Sequence, residues 1–138
     1  MTSLKAKNKE RRVKISEEVD IARATSQART LAERAGFKQT DQYMIATATS
    51  ELARNIFLYA MKGEMNIRAL ERKAKRGIEV VAEDLGPGIN DISLAMKDHF
   101  STSVGLGLGL PGVKRLMDEF VIDTKRRTGT KITVRKWL

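Results

Sequence analysis

The sequence predicts an α/β two-layer sandwich, with helices covering one face of a mixed sheet. Three observations carry this expectation. The element order reads as two helices, two strands, a glycine-punctuated middle, one helix and two final strands. The run "GIEVVAEDL" at 77–85 alternates so that Ile78, Val80 and Ala82 share one parity, as in a strand with one buried face. With 138 residues, 41% of them hydrophobic, and two prolines, the chain has the makings of one domain with a real core.

Taken in order, residues 1–12 form a basic tail that reads as flexible, and 13–138 form a single domain. "VKI" at 13–15 reads as a short edge strand. Ser16 then reads as the N-cap of a helix with acidic residues in its first turn, closed by Gly36. A second helix is expected from Thr40 or Asp41 to about Met61, ended by Lys62 and Gly63. Strand-like runs follow at 64–70 and 77–85. "DISLAMKD" at 91–98 reads as a short helix and "LPGVKRLMDEF" at 110–120 as another. "FVID" and "TKITVRKW" read as the last two strands. No internal repeat or low-complexity linker interrupts this order.

Composition narrows the chemistry. Without cysteine there is no disulfide, thiolate nucleophile or cysteine metal site, and His99 alone makes no histidine cluster. A metal would be held by carboxylates and amides, which suits a hard ion such as magnesium. No run approaches 18 apolar residues, and the start lacks the pattern of a secretory signal, so a soluble, cytoplasmic protein with no membrane partner is expected. The net charge of +9 permits nucleic acid, an acidic protein or a nucleotide as partner. Its two clusters, at 5–14 and 68–76, have few aromatics and coincide with no recognition motif. A solvated face or a flexible tail is the expected reading of each, and no nucleic-acid partner is expected.

The stretch "STSVGLGLGLPGVKRL" at 101–116 tests two known loops and fails both. Gly107, Gly109 and Gly112 match G-x-G-x-x-G, but the preceding "KDHFSTSV" is no buried strand. Lys114 comes one position too late for a Walker A loop and lacks the Ser or Thr behind it. Close backbone approach to an anion at the start of a helix remains, with Lys114 and Arg115 nearby. A glycine loop anchored by leucines reads equally well.

Four further positions are polar residues in apolar rows. At 100° per residue, Met44, Ala48, Glu51, Asn55 and Leu58 fall on one arc of the second helix. Glu51 and Asn55 either form structural hydrogen bonds or serve as general base and magnesium ligand. Asp84 continues the core-facing row of its strand and either caps the turn "GPG" or accepts from the amine of adenine. Thr130 shares the parity of Ile132 and Val134, as a pocket hydroxyl or a strand-entry residue.

Together "ELARN" at 51–55, "DLGPG" at 84–88, "GLGLGL" at 105–110 and "GT" at 129–130 resemble, in order and spacing, the boxes of the GHKL ATPase superfamily. Within it, "SELARNIFLYA", "AEDLGPGI", "FSTSVGLGLGLPGVKRLMDEF" and "KITVRKWL" resemble the RsbT-type switch kinases, over nearly the whole chain beyond the tail. The resemblance implies a Bergerat-type ATP-binding fold and a serine/threonine kinase using ATP and Mg2+. It implies Glu51 as catalytic base, Asn55 as magnesium ligand and Asp84 as reader of the adenine amine. Gly86 and Gly88 would shape the adenine pocket and Thr130 would back the adenine. Gly105, Gly107 and Gly109 would embrace the phosphates, under a lid at 90–104. Related kinases place an arginine near the end of that lid; here the segment is "STSVG", and Lys114 is the candidate for the terminal phosphate. The implied partners are a STAS-domain antagonist or stressosome scaffold as substrate and a downstream phosphatase or effector as target. The alternative is a non-catalytic, ATP-sensing anti-sigma or scaffold-binding module.

Overall fold

In the computed structural model, which describes residues 10–86, 109–125 and 128–138, alternating apolar side chains organise a five-stranded sheet. The strands are β1 (Glu10–Ile15), β2 (Gly63–Arg72), β3 (Lys75–Asp84), β4 (Glu119–Lys125) and β5 (Gly129–Trp137). Their spatial order is β1-β2-β3-β5-β4. Every pairing among the described residues is antiparallel, which corrects the expectation of a mixed sheet. The crossover from β3 does bring β4 in parallel to it, but β5 inserts between the two, so no parallel ladder forms.

Two long helices, α1 (Val19–Ala35) and α2 (Gln39–Asn55), and the short α3 (Gly109–Leu116) cover one face of this sheet. Small side chains let the layers approach: Ala24, Ala28 and Ala32 of α1 and Ala48 of α2 are fully buried. They meet Ile15, Ile67, Val80 and Val134 of the sheet, which are equally buried. The arc predicted on α2 is narrower than expected, because Met44 and Leu58 at its two ends stay more than a third exposed.

The ends of the helices differ from the sequence reading. Ser16 does not cap α1, which begins at Val19. Instead Asp20, in the first turn, accepts the backbone N–H groups of Ser16 (3.0 Å) and Glu17 (2.9 Å), so the carboxylate reaches back over the chain entering the helix. Gly36 closes α1 as expected, in the left-handed region at φ 99°. Regular helix in α2 ends at Asn55, and Ile56–Ala60 form a π-helical turn before Met61 turns left-handed at φ 71°. A Cβ on Gly63 would lie 2.8 Å from Ile56 Cγ2, so glycine lets this turn pack onto β2.

Both strands of the central hairpin extend further toward their turn than 64–70 and 77–85, to Arg72 and from Lys75, while β3 ends at Asp84, one residue short of the expectation. Lys73 (φ 51°) and Ala74 (φ 70°) make a two-residue turn without the glycine that would announce it. β1 likewise starts at Glu10, three residues before the predicted "VKI". In α3, Leu110 and Val113 are buried and the helix packs on α2, while Lys136 Nζ donates to the terminal carbonyl of Leu116 at 2.8 Å. The predicted helix at 91–98 lies outside the described residues.

Opposite the helices, the sheet face is ionic. Glu79 is 4% exposed, and its two carboxylate oxygens accept from Arg68 Nε (2.7 Å) and Arg135 Nε (2.8 Å). Arg135 also reaches Glu119 (2.9 Å), which accepts from the indole N–H of Trp137 at 2.6 Å. Part of the basic cluster at 68–76 is therefore paired across strands, and among the described residues one sheet face stands polar without a second layer.

Candidate functional site

Asp84 ends β3 on the helix-facing side of the sheet, and register places it opposite Gly63 of β2 and Thr130 of β5. Half-buried there, it accepts the N–H of Gly86 through Oδ1 at 2.8 Å, which fixes its carboxylate against the turn that follows. Its second oxygen has no partner among the described residues. Thr130 is 8% exposed and shares a 2.8 Å hydrogen bond with the hydroxyl of Thr124 on β4, its direct neighbour in the ladder. The sequence reading missed Thr124, because only strand register brings it there.

Glycine shapes this end of the sheet. Gly129 has φ 114°, and a Cβ on it would collide with the backbone carbonyl of Asp84. A Cβ on Gly86 would lie 2.6 Å from that of Ala60, in the π-helical turn after α2. The π-helical turn that follows α2 therefore packs against the turn that follows β3, while among the described residues no hydrogen bond joins Glu51 or Asn55 to Asp84.

Glu51 is 5% exposed on α2, and its Oε1 accepts from Arg54 Nη1 at 2.9 Å. That ion pair answers how a carboxylate is tolerated among apolar neighbours. Arg54 was legible in principle, since it stands three residues further on the same helix. Asn55 follows at the last residue of α2, half-buried, with no side-chain hydrogen bond among the described residues.

Gly109 starts α3 at φ 69°, and Lys114 on the same helix is exposed. No contact joins either to the Asp84 group among the described residues. Gly88, Gly105, Gly107 and the expected lid at 90–104 lie outside the described residues. The described residues thus comprise a carboxylate at the end of β3 among closely packed glycines, a hydroxyl beside it, and, on α2, a buried carboxylate and an amide one helical turn apart.

An antiparallel sheet with helices on one face is the fold of this chain, and its class is that of an ATPase domain of the histidine kinase type. A match to the family "Histidine kinase-like ATPase domain" covers residues 15–136. Over 126 residues the chain is 52% identical to the serine/threonine-protein kinase RsbT of Bacillus subtilis (strain 168), covering 91% of this chain and 95% of that protein. It is also 26% identical over 96 residues to an anti-sigma F factor of Clostridium kluyveri, covering 67% of this chain and 68% of the relative. The chain belongs to the histidine kinase-like ATPase domain family, in its RsbT-type serine/threonine kinase branch. Among the described residues, no helix is long and apolar enough to cross a membrane.

Proposed function

We propose that the protein is a cytoplasmic, magnesium-dependent kinase that transfers the terminal phosphoryl group of ATP to a serine or threonine of a STAS-domain partner. On release from that phosphorylated partner it engages a downstream phosphatase or effector. The observation that carries the reading is the pairing of a buried Glu51 with Asn55 one turn later, on the helix whose following turn packs against Gly86, two residues beyond Asp84. The RsbT and anti-sigma F relatives support a partner-switching role.

The residues fit the nucleotide and the ion. Asp84 has a carboxylate oxygen to accept from the exocyclic amine of adenine, and Gly86 and Gly129 let the neighbouring backbone pack closely around it. Asn55 offers one hard oxygen ligand, which suits an ion that takes its other ligands from phosphates and water. When bound, magnesium neutralises charge on the transferring phosphate. Glu51 takes the proton of the attacking hydroxyl as that oxygen bonds to phosphorus and the bond to the departing ADP breaks. Lys114 is assigned to the terminal phosphate, and Gly88, Gly105, Gly107 and Gly109 to the cleft and phosphate loops.

Labelled ATP mixed with a co-encoded STAS protein tests this directly. Magnesium-dependent label on the STAS protein is expected, and Glu51→Ala should abolish it while ATP still binds. No transfer at any magnesium concentration removes the kinase reading. Partner switching that survives Glu51→Ala supports a non-catalytic module instead.

A further inference from the structure

We propose that Arg54 is a positioning residue that orients the Glu51 carboxylate for proton transfer, an inference that rests on the reading of Glu51 as the base. Glu51 is nearly enclosed, and one of its two oxygens is engaged by Arg54 Nη1 at 2.9 Å. A carboxylate at the end of a two-carbon stem has several rotamers, and a charged donor on one oxygen removes most of that freedom. With Oε1 engaged, Oε2 is the oxygen that faces an incoming proton.

Arg54 is suited to this task by where it sits. With Ser50, Phe57 and Leu58 it lines a surface groove of about 770 Å3 between α1 and α2, and Glu51 lies beside that groove-facing arc of the helix. Its side chain is 37% exposed against 7% for that of Glu51. One end of the guanidinium therefore holds a buried acid while the rest is solvated. Ion pairs at this helical spacing add little to stability when exposed, so helix support alone is a weak reason for enclosing the acid here. Because the arginine is open to water, exchanging it creates no core cavity.

The experiment compares phosphoryl transfer to the co-encoded STAS protein for full-length Arg54→Gln, Arg54→Lys, Glu51→Gln and Glu51→Asp, with ATP affinity and melting temperature measured for each. Arg54→Gln should lower kcat about tenfold or more, leave ATP affinity within about twofold, and be partly rescued by Arg54→Lys. Glu51→Asp draws the carboxylate back by one methylene, so adding Arg54→Gln to it should cost less than about twofold further. An equal loss in the Glu51→Asp background overturns the proposal, since Arg54 would then act independently of Glu51. Wild-type kcat in Arg54→Gln beside an inactive Glu51→Gln overturns the positioning role and leaves the base assignment standing. Full activity in Glu51→Gln overturns both.

Discussion

Asp84 of β3 stands directly opposite Thr130 of β5, and the glycine before that threonine packs its Cα against the Asp84 carbonyl. Strand pairing thus sets a carboxylate and a hydroxyl side by side at the end of the sheet. Asp84→Asn keeps an oxygen for the Gly86 N–H but replaces the other acceptor with a donor. ATP affinity should fall about tenfold or more by calorimetry, at nearly unchanged melting temperature. Unchanged affinity would refute the adenine assignment.

Gly129→Ala should be costly for two reasons that act together. The residue is held at φ 114°, and its new methyl group would strike backbone that cannot rotate away. A loss exceeding about 1 kcal/mol is expected in denaturant melts, with weakened ATP binding. Gly36→Ala is the control, because its φ is 99° but the nearest heavy atom is 4.0 Å away, so only backbone strain applies. Equal losses at the two positions would show that the contact with Asp84 carries no weight.

Glu79→Gln should destabilise the sheet without touching the nucleotide. The carboxylate bridges β2 and β5 through Arg68 and Arg135, on the face opposite Asp84. Arg68 is half-exposed, so water screens part of the attraction. About 1–3 kcal/mol of stability should be lost, with ATP affinity at the wild-type value. Urea melts and calorimetry on the same preparation check the pair of outcomes.

Acid should weaken the fold through three carboxylates. Backbone N–H groups of Ser16 and Glu17 hold the Asp20 carboxyl below its usual range, helped by Arg23. Burial pushes Glu79 up, but the Arg68 and Arg135 guanidiniums outweigh it and hold it low. The Trp137 indole N–H and Arg135 hold Glu119 low. With folded pKa values below the unfolded ones, the unfolded chain binds more protons in acid, so stability is present above about pH 4 and is lost as pH falls through the depressed folded values. Melting temperature should therefore decline as pH drops below about 4, and Glu79→Gln should flatten part of that decline. A melting temperature that rises in this window would contradict the sign for all three groups.

Much of the scaffold could be read before any contact was known. Gly36 stops α1, and Ile78, Val80 and Ala82 form the buried parity of β3, because backbone conformation and side-chain alternation are local properties. Other features resisted. The hairpin at Lys73 and Ala74 carries no glycine, so its tight turn was invisible and the strands were drawn short. Asp20 displaced Ser16 at the start of α1, since both are good partners for free N–H groups and only geometry chooses between them.

The sequence by itself determined the element order, the inward row that ends at Asp84 and the helical spacing of Glu51 and Asn55, because periodicity along one chain is enough to specify each. Tertiary structure alone decided which strands are neighbours, and hence that Thr124 meets Thr130, that Gly129 must leave room for Asp84, and that Arg68 and Arg135 close on one buried glutamate. Those contacts join residues far apart in the chain through strand register. Register is a property of the whole packed sheet, and local spacing does not carry it.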